Sequence, residues 1–466
     1  MAAVSDSRGL GLWSILRLGL FQGCLGALAV IFAGLLNRVM ISELAFPGLL
    51  VGGALAFEQF VAPSRVWFGQ LSDAHPLAGR HRLPYIWLGA VLFGGLAVLS
   101  IPLIFHVSGL LQAGDTPALM GGIAALCGLF ACYGLAVSLA TTPYLALVID
   151  RTTEQERPKA VGLIWCLLTV GIVVGAVTIN VSLRGLDGVT DPLVLRQALL
   201  GFMGRAVLLV LVLTAVATIG MEPPASASNA AVREDGITLG QAWMLITSSR
   251  QVFVFFAFLV LFTLGLFLQD PILESYAADV FGMPIAATAS LNAVWGMGTL
   301  AGLLLAGAWI VPRLGKLATA RLGCQLIIGS LLLLLLVGLV RQVITLQIVM
   351  FLFGLAAGIG TNSALVLMLD LTLPQAAGTF VGVWGLAQAL SRALGKLMGG
   401  GLLDLGRLLQ QWAGLGASPF PAYGLVLGVE ILVAFAALLL LARLNLRQFR
   451  EDTGRSLTKV LTLELG

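Results

Sequence analysis

The stretch "LLNRVMISELAFP" (35–47) sets Asn37, Arg38 and Glu43 at the end of the first long apolar run. A second group of the same kind, Gln269, Asp270 and Glu274, stands at the end of a later run in "LQDPILESY" (268–276), with Asp270 inside the span. Glu58, Arg17, Arg205, Arg392, Lys396 and Glu430 lie inside apolar runs, with Asn292 as a polar companion. A charge at the centre of a membrane helix costs about 2.5–3.5 kcal/mol on insertion scales, so each of these residues needs a partner or a wet cavity. Arg392 and Lys396 stand four apart on one helix face, a basic stripe suited to an acidic partner on another helix or to an anionic headgroup. Glu58 and Asp270 are the acids placed to couple a proton to transport. Histidine chemistry is poorly supplied: His75, His81 and His106 are the only three, two of them in a loop, so no intramembrane histidine relay is expected. No phosphate-binding loop, nucleophile elbow or zinc-binding helix pair is present, so neither catalytic nor metal-ligating residues are assigned and an enzyme is not expected.

The elements that must carry these residues are membrane helices. The 466 residues are 59% hydrophobic and 10% charged, with mean hydropathy +1.01, against roughly 25% charged in a soluble domain. A spanning helix takes about 20 mainly apolar residues. The runs 14–36, 47–67, 83–105, 119–148, 160–183, 197–220, 251–273, 285–311, 319–340, 343–369, 377–403 and 420–443 give twelve of them. The first run continues past any small-residue cleavage site, so it is expected to remain as a helix. With the N-terminus in the cytoplasm, same-side segments hold Arg80, Arg82, Arg151, Arg157, Lys159, Arg443, Arg447 and Arg450 among others. Opposite them stand Arg38, Arg184, Arg196, Arg341 and Arg407, a bias that places both termini in the cytoplasm. The five cysteines lie in apolar runs without ligand spacing and read as buried free thiols. The net charge of +4 is topological, and nucleic acid is not an expected partner.

The polar segment "MEPPASASNAAVREDGITLG" (221–240) reads as the start of a linker over 221–250 between a first half (1–220) and a second (251–443), with a tail over 444–466. An internal repeat supports the division. "TTPYLALVIDRTTEQERPKAVG" (141–162) aligns without gaps with "TNSALVLMLDLTLPQAAGTFVG" (361–382), matching Asp150 to Asp370 and Gly162 to Gly382. Duplicated halves in parallel orientation predict an all-α integral membrane protein of the major facilitator superfamily fold, twelve helices in two pseudo-symmetric sets of six. In the loop "WFGQLSDAHPLAGRHRLPYIW" (67–87), Gly69, Asp73, Gly79, Arg80 and Arg82 resemble that superfamily's Gly, Asp, Gly, Arg pattern, with five residues between Asp73 and Gly79. Either a conformational or a purely topological role fits them. Asp150 and Arg157 flank the turn after the fourth helix, where an ion pair would hold two helix ends together; Ala377 at the repeated position leaves that lock asymmetric.

"NRVMISELAFP" (37–47), "GRHRLPYIWLG" (79–89), "PYLALVIDRTTEQERPKAVG" (143–162) and "LQDPILESYAADVFGM" (268–283) together resemble the PucC/LhaA family, the bacteriochlorophyll delivery branch of the major facilitator superfamily. The resemblance implies an assembly factor of a photosynthetic membrane that binds nascent light-harvesting or photosystem polypeptides and delivers chlorophyll or bacteriochlorophyll. Carotenoid is a further candidate pigment, and pigment-synthesis enzymes are further candidate partners beside the lipid bilayer. Without a membrane histidine, a magnesium porphyrin would take a hard oxygen ligand from Asn, Gln or Glu, a backbone carbonyl or water. Asn37, Arg38, Glu43, Glu58, Gln269, Asp270, Glu274 and Asn292 are the candidate pigment or partner contacts, the first three equivalent in the first half to Gln269, Asp270 and Glu274 in the second. Two rival readings stay open: a proton-coupled transporter of a small amphiphile working by alternating access, and a structural subunit kept in the mature complex.

Overall fold

The computed structural model describes residues 11–114, 116–152, 157–186, 189, 191–222, 250–371, 377–414 and 418–445. Every expected span is helical. The chain runs α1 (Leu12–Glu43), α2 (Gly48–Phe60), α3 (Ser64–Ala74), α4 (Leu83–Ala113), α5 (Thr116–Arg151), α6 (Arg157–Leu183) and α7 (Pro192–Thr218). It continues as α8 (Arg250–Phe267), α9 (Leu273–Phe281), α10 (Ile285–Leu314), α11 (Lys316–Val340), α12 (Val343–Leu371), α13 (Ala377–Trp412) and α14 (Phe420–Ala442). Among the described residues, ten helices are long and apolar enough to cross a membrane, and Gly48–Phe60 is a shorter apolar one.

Two spans expected as single helices are broken, each at a proline. The second divides at Val61–Pro63, where Ser64 N and Arg65 N donate to Val61 O and Ala62 O in tight turns instead of continuing the helix. The seventh, expected to run to residue 273, stops at Phe267. Its chain then turns through Asp270 N to Phe267 O (3.2 Å) and Ile272 N to Gln269 O (2.9 Å) around Pro271. Proline has no N–H to give and its ring collides with the preceding turn, so both sites shed a helical bond. Between the ninth and tenth spans the break falls on Arg341, at φ 57° in the left-handed region.

The first helix outruns its expected end at residue 36. It reaches Glu43 because two π-helical segments, Val30–Leu35 and Val39–Glu43, bracket the single α-turn Leu36–Arg38. Each π turn inserts an extra residue and swings the following side chains to a new azimuth, which is why such bulges cluster at functional sites.

Lipid tails are as apolar as leucine, so helices in a membrane associate through close backbone approach at small residues. On α1 and α6, a Cβ on Gly171 would run into the Gly23 carbonyl, and one on Gly175 would lie 2.8 Å from Ala27. Gly298 and Gly302 of α10 meet backbone of α12 at Phe351 and Leu355, while Gly354 and Gly358 meet Trp295 and Thr299 in return. Gly48 of α2 faces Gly400 of α13, whose carbonyl would stand 2.6 Å from an added Cβ.

The helices gather into two compact units. One holds Met1–Leu44, Val61–Val232 and Pro284–Ala293; the other holds Ala45–Phe60, Arg233–Met283 and Val294–Gly466. Each unit thus follows one sequence half except for a short segment opening the second helix of the other half. In the first unit, Asn180 Nδ2 donates to Ala286 O at 3.1 Å, one of the bonds that keep residues 284–293 there.

The α1–α6 crossing gives a test by sign. Gly171→Ala should lower the unfolding temperature of the detergent-solubilised protein, since overpacking costs about 1–3 kcal/mol. Gly128→Ala, where an added Cβ meets nothing within 4 Å, should leave it unchanged or raise it, because a helical Gly→Ala change is worth roughly 0.5–1 kcal/mol.

Candidate functional site

The first polar group is built by the π turns of α1. Asn37 and Arg38 are 1% and 5% exposed, buried instead of standing at an open helix mouth. Arg38 Nη1 donates to Thr288 Oγ1 at 3.1 Å, and Nη2 donates to Glu43 Oε1 at 3.2 Å. A guanidinium with donors in a fixed fork can hold two acceptors from different segments. Arg38 therefore joins the end of α1 to the start of α10 within one unit, while the Glu43 side chain keeps 27% of its surface exposed.

The second group occupies the turn between α8 and α9, in the other unit. Gln269 and Glu274 are 5% and 4% exposed, and Asp270 is half-buried. Glu430, wholly buried in α14, accepts from Gln269 N at 3.4 Å, and Gln269 Nε2 donates to Leu266 O at 3.2 Å. Asn37 Oδ1, Gln269 Oε1 and Glu430 Oε2 lack hydrogen-bond partners among the described residues, so both groups hold spare polar capacity away from water. Asn292 is half-buried in α10.

The basic stripe on α13 resolves into two different contacts. Lys396 Nζ lies 3.8 Å from Glu58 Oε2, and Arg392 stacks on the Phe267 ring with its guanidinium carbon 4.4 Å from the centroid. Lys396 thereby meets an acid on another helix, one of the two partners its spacing allowed.

The loop motif forms a clasp at one end of the first unit. Gly79 adopts φ 70°, a left-handed turn that glycine enters without strain. A Cβ on Gly69 would only touch Thr142 at 3.4 Å. Arg82 Nη1 donates to Ser72 Oγ at 2.7 Å and Arg82 Nε to Asp150 Oδ2 at 3.1 Å. Asp150 thus has Arg82 as a partner. The side chains of Asp73, Arg157 and Asp370 lie outside the described residues, and Arg80 is half-buried.

Sequence reasoning missed Glu222, Thr288, Asp279 and Tyr423. Glu222 accepts from the backbone N–H groups of His81, Arg82 and Leu83 at 2.7, 2.8 and 2.7 Å. These are orphan donors at the start of α4, and a carboxylate supplied from 139 residues away at Leu83 does the work of a local cap. Its place directly after the sixth span was legible, but not its target. Farther along, Asp279 accepts from Tyr423 OH at 2.6 Å and sits 3.8 Å from Arg407, beside a cavity of about 160 Å³ lined also by Gln410, Gln411 and Ala422. Asp404 accepts from Gly48 N and Leu49 N, both at 2.7 Å, and caps the start of α2.

Two outcomes test these contacts. Glu222→Ala leaves three N–H groups without their acceptor and should cost about 0.5–2 kcal/mol, the usual worth of an N-cap. It should also speed tryptic cleavage at Arg80 and Arg82 in the folded protein. Because Arg38 and Thr288 share one bond, Arg38→Leu with Thr288→Val should melt no lower than Arg38→Leu alone, whereas independent residues would add their losses.

The comparisons with known proteins agree on fold and family. NupG, described as a nucleoside transporter, superposes with TM-score 0.65 at 14% identity, covering 92% of this chain and 99% of that one. A bacterial homologue of the iron transporter ferroportin, inward-facing, gives TM-score 0.66 at 14% identity over 93% and 99%. At that identity the likeness is one of fold, and it fixes the major facilitator architecture. Among relatives by sequence, an "Uncharacterized protein in puhA-bchM intergenic region" of Rhodobacter capsulatus is 32% identical, covering 95% of this chain and 91% of its own. Protein PucC of the same organism is 28% identical over 91% and 90%. Its "Bacteriochlorophyll synthase 44.5 kDa chain" is 31% identical over 92% and 94%. The PUCC protein family matches residues 35–449, and the chain belongs to that family.

Proposed function

We propose that this membrane protein is a non-catalytic assembly factor for light-harvesting or photosystem complexes. It holds nascent antenna or reaction-centre polypeptides in a photosynthetic membrane, with both termini cytoplasmic, and hands on chlorophyll or bacteriochlorophyll. The observation that carries the reading is the family match over residues 35–449, which covers both sequence halves and all the polar groups described above. The relative named as a chain of bacteriochlorophyll synthase points to the same pigment chemistry. The site supports it physically. Buried polar groups with spare acceptors, at Asn37, Gln269 and Glu430, are costly in an apolar protein unless something uses them. A membrane protein that binds other membrane helices needs no catalytic constellation, only a lipid-facing surface and a few polar points that set register.

The test is an absorption spectrum of the gently solubilised, affinity-purified protein, with co-purifying polypeptides identified by mass spectrometry. Red or near-infrared pigment bands together with antenna or photosystem subunits are expected. A colourless protein without such partners overturns the reading, and uptake of a small amphiphile by reconstituted protein that is lost in Asp270→Asn would put proton-coupled transport in its place.

A further inference from the structure

Glu58 and Lys396 form an ion pair inside the apolar spans, and it is lopsided. The Lys396 side chain is 8% exposed, the Glu58 side chain 20%. The cation is sunk in the protein, and the carboxylate is the part that reaches out. Backbone contact holds the geometry: α2 and α13 cross with Gly48 against the Gly400 carbonyl and with Gly52 against that of Lys396 itself. The helix carrying the ammonium therefore has no room to withdraw. Among the described residues, Glu58 Oε1 receives only the neighbouring Gln59 Nε2, at 3.3 Å. An ionised carboxylate offers about four lone-pair sites, so acceptor capacity remains. Phe57 and Phe60, either side of Glu58 in sequence, are each 40% exposed and pack edge to face at 6.0 Å.

Stability does not account for the pair. Exchanging a buried ion pair for well-packed apolar residues is often neutral or stabilising, so such a pair usually serves something else. We infer that Glu58 would supply the oxygen ligand through which this chain holds a magnesium tetrapyrrole, with Lys396 cancelling the carboxylate charge. The inference rests on the assembly reading and assigns its pigment site. Magnesium is a hard cation that takes oxygen donors, and a carboxylate is the hardest side-chain donor in these spans. In a tetrapyrrole the macrocycle already neutralises Mg²⁺, so a bare carboxylate ligand would leave one uncompensated negative charge in a low dielectric. A lysine at 3.8 Å removes that charge. Glu58 would offer such a metal one oxygen donor from a side chain that keeps an exposed side.

The experiment titrates detergent-solubilised full-length protein with bacteriochlorophyll a, following the Qx band, whose position reports magnesium coordination. Metal-free bacteriopheophytin a is the control. Wild type should bind the magnesium pigment at least about tenfold more tightly than the metal-free one, the scale on which ligand-shell changes act. Glu58→Leu/Lys396→Met, which removes both charges together and so avoids an unpaired ammonium, should lose that preference and the Qx shift. Lys396→Met alone should weaken binding about 10–100-fold, and Glu58→Gln/Lys396→Met, with a neutral oxygen donor, should recover most of it. Equal binding of both pigments by wild type, or an unchanged Qx shift in Glu58→Leu/Lys396→Met, overturns the assignment. If wild type binds no pigment yet co-purifies with antenna polypeptides, the ligand assignment falls and the assembly reading stands. Glu58-dependent pigment without client polypeptides has the reverse meaning.

Discussion

A charge inside a bilayer must carry its own counter-charge, and this requirement organises the polar interior of the protein. Water is not there to solvate a lone guanidinium or carboxylate, and at low dielectric the attraction between opposite charges is correspondingly large. The structure answers with local solutions. Arg38 takes Glu43 and Thr288, Lys396 takes Glu58, Arg392 lies on an aromatic face, and Arg17 of α1 caps the closing carbonyls of α7 at Val216 and Ile219. Except for Arg38 with Glu43, five residues apart in α1, each pairing links two segments far apart in the chain. Electrostatic necessity thus becomes a tertiary constraint.

Those links are possible only because backbones come close. Glycines at 171 and 175, at 298 and 302, at 354 and 358, and at 48, 52 and 400 remove the Cβ atoms that would keep helices apart. The same crossing that brings α2 against α13 delivers Glu58 to Lys396, and its start is capped by Asp404 from α13. Packing and charge pairing are one arrangement there. Loss of a glycine would move a charge as well as a helix.

Irregular backbone appears where polar groups must be aimed. The π segments in α1 flank Asn37 and Arg38, and the turn at Pro271 interrupts the helix beside Gln269 and Asp270. Non-helical backbone at membrane depth persists where protein satisfies its freed groups, as Glu430 does for the Gln269 N–H. At the other kind of site, the loop ahead of α4, Glu222 accepts from three backbone N–H groups and the Arg82 side chain donates to Ser72 and Asp150, one clasp that joins the end of α7, the start of α4 and the end of α5. The polar groups at Asn37, Gln269 and Glu222 therefore coincide with a bulge, a break and a cap instead of with regular helix.

The sequence by itself marked the apolar spans, ten of which are, among the described residues, helices long and apolar enough to cross a membrane, because about 20 apolar residues in a row have no cheaper home. It also carried an internal repeat, and it marked Arg38, Glu43, Glu58, Lys396, Gln269 and Glu430 as residues in need of partners, because charge and amide inside apolar runs are costly wherever they end up. It fixed neither the partners nor the breaks in detail. Asp150 read as a candidate partner for Arg157, whose side chain lies outside the described residues, and the contact described for it comes from Arg82 in a different loop. Glu222 read as linker and became a helix cap. Residues 45–60 and 284–293 join units that follow the opposite sequence half. These outcomes depend on which distant atoms arrive within about 3 Å, the reach of a hydrogen bond. That distance is set by glycine crossings and helix register, quantities that exist only once the chain is packed.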